Sequence, residues 1–171
     1  MDFLLVVLRL VHIVLGSVWV GIVVFNTLFL APVIGELGPD GGKVMGALQK
    51  RGMLTFLPII SLITLLSGVW LLWKVSLGFN EHYFHTAAGH TFAGGGAMAI
   101  LAYLIGIIVM RPSMLHAGTL AQGMAQVTDE TERRSRQQQI QALRSRARIS
   151  GQVVAALLVV STAAMAVGRY L

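Results

Sequence analysis

Four apolar runs constrain this 171-residue chain more than anything else in it. Residues 3–31, 54–73, 87–110 and 151–168 are almost free of charge. Each is long enough for a helix that crosses the bilayer core, which takes about 17–25 residues. With 56% of its residues hydrophobic and 12% charged, the chain has too little polar surface to clothe a soluble domain of this length. The expected fold is an all-α membrane protein, with four transmembrane helices in an up-down bundle and a single integral membrane domain over residues 1–171. Pro32 and Arg111-Pro112 are expected to stop the first and third spans, and Arg169 the fourth. Pro58 falls in the first turn of the second span, where its missing N–H costs least. The first run is not expected to be a cleaved signal: it opens Met-Asp-Phe, is too long, and has no A-x-A site after it.

The charges suggest an orientation. Lys43, Lys50 and Arg51 lie between spans one and two. Arg111, Arg133, Arg134, Arg136, Arg144, Arg146 and Arg148 lie between spans three and four, leaving only Arg9, Lys74 and Arg169 for the other side. The positive-inside rule then predicts both of these loops in the cytoplasm and both termini on the outer, periplasmic side, in a bacterial inner membrane. Residues 113–150 are expected to form a long, largely helical cytoplasmic extension. Thr128 or Asp129 would cap its helix, and Ile140, Leu143 and Ala147 lie at the spacing that continues it into span four. A solvated face explains the basic run first, and an anionic-lipid or protein partner second. The net charge of +6 therefore reports topology, and no nucleic-acid partner is expected. The absence of cysteine excludes disulfides, thiolate metal sites and covalently attached haem.

Against this background Arg9 and His12 are anomalies. On a helix, Arg9, His12, Gly16, Trp19, Val23 and Asn26 share one stripe. Ionisable groups inside a membrane cost a few kcal/mol or more and normally face the bundle interior. Arg9 can snorkel to the interface, whereas His12 is too short and too deep to do so. Four of the five histidines, His12, His82, His85 and His90, collect in the predicted outer half. Gly16 follows His12 by four residues, and Gly94 follows His90 by four.

Two histidines facing each other across a bundle, each with a glycine one turn away, suit a flat ligand. His12 and His90 are thus candidate axial ligands of a b-type haem between spans one and three, with Arg9 on a propionate and Trp19 against the ring. Helix packing is the rival reading of the glycines, with Gly89-x-x-x-Ala93-x-x-x-Ala97 as a small-residue seam. His82 and His85, with His90 and Glu81, form a weaker alternative site for copper. Ser61, Thr64 and Ser67 on span two are expected to bond back to their own helix. No acid–base pair or nucleophile constellation is visible in the spans.

Leu10-Val-His12 followed by Trp19-Val-Gly21, and Lys50-Arg51 before an apolar run with Pro58 and Gly68-Val-Trp70, resembles the four-helix membrane families of the CopD copper-resistance proteins and the HemJ-type protoporphyrinogen oxidases. The resemblance covers residues 8–75 or so. It implies a haem held partly by His12, or copper handling at the outer face. The leading expectation is a cytochrome b-like protein that carries single electrons to or from a redox protein or a quinone, alone, as a homo-oligomer or as a subunit of a larger membrane complex. Protoporphyrinogen oxidation, copper permeation and a non-redox accessory role are the alternatives.

Overall fold

The structure is a computed structural model that describes residues 3–171; Met1 and Asp2, which open the run weighed above as a signal peptide, lie outside them. Eight α-helices follow one another: α1 (Phe3–Phe25), α2 (Ala31–Glu36), α3 (Pro39–Lys50), α4 (Met53–Val75), α5 (Glu81–Phe84), α6 (Ala87–Ile105), α7 (Arg111–Gly123) and α8 (Glu130–Gly168). No strand occurs among the described residues. Four continuous helical stretches are long and apolar enough to cross a membrane: Phe3–Glu36, Met53–Val75, Ala87–Gln126 and Glu130–Gly168. Their large side chains are widely exposed, as on Leu10, Ile13, Phe29, Leu66, Ile108 and Val160. Such a surface suits lipid and not water.

Pro32 and Pro112 do not stop their helices. A proline removes the N–H that would bond the carbonyl four residues back and presses its ring against that carbonyl. Immediately before each proline the chain makes a wide π turn, over Asn26–Leu30 and Gly106–Met110. The Ala31 N–H donates to the Asn26 carbonyl, and the Arg111 N–H to the Gly106 carbonyl, five residues back in both cases. The widened turns contain Leu28 and Ile108, whose carbonyls the two prolines would otherwise strike. The helices therefore continue for 34 and 40 residues, roughly 50–60 Å at 1.5 Å per residue. The hydrocarbon core is only about 30 Å thick.

The fourth stretch runs unbroken from Glu130 as expected. Asp129 caps it by accepting from the Thr131 N–H at 3.0 Å. Glu132 then accepts from Arg136 at 2.7 Å, one turn on.

The core draws on all four stretches: Trp19 and Val23 from α1, Ile60 from α4, Ala99 and Ala102 from α6, and Val154, Ala155 and Leu158 from α8. Its tightest seam joins α6 to α8. The Ser161 hydroxyl donates to the Gly95 carbonyl at 2.7 Å. A Cβ on Gly95 would stand 3.3 Å from that of Ala164, and one on Gly168 would meet Thr91 and Phe92, each at 3.3 Å. The seam is thus Gly95, Ala99 and Ala102, three and four residues apart on one face. It is not Gly89, Ala93 and Ala97. Gly89 instead lies against the backbone of Tyr83 and Phe84, where a Cβ would collide with the Tyr83 carbonyl oxygen, and Ala97 is exposed.

Gly95→Leu is expected to force α6 and α8 apart, costing about 1–3 kcal/mol as an overpacked core does. Ser161→Ala should cost about 1 kcal/mol. Thermal or SDS-induced unfolding followed by circular dichroism in detergent measures both.

Candidate functional site

His12 sits on α4. A hydrogen bond 2.8 Å long joins its Nδ1 to the carbonyl oxygen of Thr64. A carbonyl only accepts, so Nδ1 is the protonated donor, and in the neutral tautomer Nε2 would carry the lone pair. The Ser67 hydroxyl lies 3.3 Å from the same Nδ1 and donates to the carbonyls of Ile63 and Thr64 at 2.8 and 2.9 Å. The ring occupies the space over Gly68, where a Cβ would come within 2.7 Å of its Cε1. Two small residues thus let α1 approach α4 here. Gly16 is the other: a Cβ on it would stand 3.3 Å from the Thr64 methyl.

The hydroxyls of α4 bond back along their own helix, as expected. Ser61 donates to Leu57 at 2.7 Å and Thr64 to Ile60 at 2.8 Å. What the sequence reading missed is that Thr64, Ser67 and Gly68 together form the seat of His12. Ser61, Thr64 and Ser67 recur every three residues in the sequence, but nothing local tied them to a histidine more than fifty positions away.

The other candidates are placed as follows. Arg9 is exposed, one turn before His12. Trp19 is buried in the core. Gly16 is filled by Thr64, so it serves helix packing and leaves no clearance for a porphyrin on that side. Gly94 is different: a Cβ there would meet nothing within 4 Å. His90 is exposed in the first turn of α6, whose cap is the Thr86 hydroxyl accepting from the Gly89 N–H at 3.0 Å. The structure therefore brings His12 to α4 and not into contact with His90, which stands with Gly94 on an open face of α6.

The outer histidines are loosely held. His85 Nε2 lies 3.7 Å from a carboxylate oxygen of Glu81, both side chains well exposed. His82 is exposed as well, its N–H capping α5 through Asn80 at 2.9 Å. Burial pushes the phenol of neighbouring Tyr83 above its ordinary value, which keeps it protonated at neutral pH. Among the described residues, no group of three or more His, Cys, Asp or Glu side chains is gathered in a way that could hold a metal ion.

The bond from Nδ1 to the Thr64 carbonyl fixes the orientation of the His12 ring. No family model matches the chain, and neither the curated proteins nor the solved structures compared with it include a match.

The bond to Thr64 predicts that His12 is an Nδ1–H tautomer. Nitrogen-15 NMR of histidine-labelled protein should show one side chain with a pyridine-like Nε2. Gly68→Ala, whose methyl would enter the space of the ring, should abolish or shift that signal and leave those of His82 and His116 in place.

Proposed function

We propose that the protein is a multi-pass membrane protein that holds one b-type haem in its outer half, with His12 as an axial ligand, and carries single electrons. The observation behind this reading is the pinned imidazole of His12. Its Nδ1 donates to Thr64, so in the neutral tautomer Nε2 keeps its lone pair, inside a helix whose one other ionisable side chain is Arg9. When bound, the haem supplies the one-electron couple. The protein's part is to orient His12 through Thr64 and Ser67. Arg9, one turn away and exposed, is placed for a propionate. His90, on the open face shared with Gly94, is the second ligand in this reading, reached across the outer end of the bundle.

The same proposal takes the bundle as up-down with both termini outside. Contacts run in opposite order along α6 and α8: Gly95 meets Ser161, whereas Met110 approaches Gly151. His12 likewise meets Gly68, whereas Asn26 and Leu54 line one cavity. Ten basic side chains then fall on the cytoplasmic side by the positive-inside rule.

A second reading, a non-redox accessory subunit, has an observation of its own. His12 is already hydrogen-bonded, and among the described residues no buried side-chain nitrogen or oxygen lacks a partner. A satisfied histidine can simply tie α1 to α4.

A reduced-minus-oxidised spectrum with pyridine haemochrome quantitation on detergent-purified protein separates the two. A b-type spectrum near one haem per chain is expected, and His12→Ala should lose most of it. Colourless protein, or full haem retention in His12→Ala, defeats the haem reading. The orientation has its own check, since the chain has no cysteine of its own. A membrane-impermeant maleimide should label Glu81→Cys in intact spheroplasts and Gln138→Cys only after the membrane is opened.

A further inference from the structure

An open groove of about 590 Å³ runs between α8 and the end of α6. Ile105 and Val109 line one wall, Ile149 and Val153 the other. Ser145 and Arg146, one turn before Ile149 on α8, line its polar end. We propose that the groove holds one anionic phospholipid, with an acyl chain along the apolar walls and the phosphate on Arg146.

Depth places the two parts of such a molecule. Met110 approaches Gly151, so the apolar runs that end at 110 and begin at 151 meet the membrane boundary at one level. Arg146 lies five residues before Gly151 in the unbroken α8, about 7.5 Å further along its axis. The head-group layer is about 5–8 Å thick on each side of the hydrocarbon. The Arg146 guanidinium therefore lies at the level of lipid phosphates. Ile149 stands at the boundary and Val153 within the level of the chains.

Charge selects the class of lipid. Arg146 is exposed, and among the described residues no carboxylate pairs with it, with Arg144 or with Arg148. No Asp or Glu follows Glu132 in the chain. A phosphate meets a guanidinium through charge-assisted hydrogen bonds. The amine of a zwitterionic head group would find no carboxylate on this part of α8 and would stand among arginines. A head group with no cation of its own is therefore favoured. The Ser150 hydroxyl takes no part, because it donates to the carbonyls of Arg146 and Ala147.

A run of arginines attracts anionic membranes on every face it presents. The groove adds a position. Arg144 and Arg148 do not line it, and each lies two residues from Arg146, about 200° around the helix. The site depends neither on His12 and haem nor on the side of the membrane from which α8 starts.

Native mass spectrometry of the delipidated full chain in detergent micelles counts bound lipid directly. Dioleoylphosphatidylglycerol should fill a first site at a concentration about five- to tenfold lower than dioleoylphosphatidylcholine. Arg146→Gln should reduce that preference about fivefold. Arg148→Gln, which removes the same charge from another face, should keep it. Ile149→Trp, which keeps every charge and fills the groove, should lose the first phosphatidylglycerol site. All three side chains are exposed, so the variants are expected to fold. Equal losses in Arg146→Gln and Arg148→Gln would reduce the effect to general attraction and overturn the proposal, as would unchanged binding in Ile149→Trp. A lipid-free dimer that Ile149→Trp dissociates would overturn it too, by making the groove an interface between two copies of the chain.

Discussion

Hydrocarbon neither donates nor accepts hydrogen bonds, and every polar group within the four apolar runs must answer to that constraint. The backbone answers by staying helical, even through two prolines, where π turns over Asn26–Leu30 and Gly106–Met110 carry the ladder past the missing N–H groups. The hydroxyls of Ser61, Thr64, Ser67, Ser113, Ser150 and Thr162 bond back to carbonyls three or four residues earlier. A few polar groups reach across helices and mark where they touch, among them Ser161 to Gly95 and His12 to Thr64.

Those two contacts also show why small residues matter here. Lipid gives helices no hydrophobic reason to associate, so close packing and interhelical hydrogen bonds must hold them together. Gly95 brings a carbonyl within reach of a serine, and Gly68 makes room for an imidazole. In both cases the absence of a Cβ on one helix creates a position for a polar group on another. The same geometry that stabilises the bundle thereby fixes His12 through its Nδ1.

The polar and small residues of the spans differed in how legible they were. His12 stood out in the sequence because a histidine deep in an apolar run is conspicuous, and its glycine neighbours drew attention to the same face. Asn26 shares the stripe of His12, whereas nothing in the sequence singled out Tyr103. Each is a single moderately polar residue, and their relation appears only when the ends of α1 and α6 are seen to line one cavity. Gly16 was misleading for a related reason: a glycine one turn from a histidine looks the same in sequence whether it clears space for a ligand or, as here, admits a threonine methyl.

Length, apolarity and charge are local properties, and they alone determined that this chain forms four helices long and apolar enough to cross a membrane and that α8 continues far beyond its apolar half. Pro32 and Pro112 were legible as residues but not in their effect. Whether a proline ends a helix depends on whether the preceding turn can widen, and on what the continuing helix packs against. The tertiary structure alone decided which faces meet: His12 against α4, Gly95 and not Gly89 against α8, and His90 left exposed. A helix presents small residues on several faces at once, and the choice between them is made by shape complementarity with helices distant in the sequence.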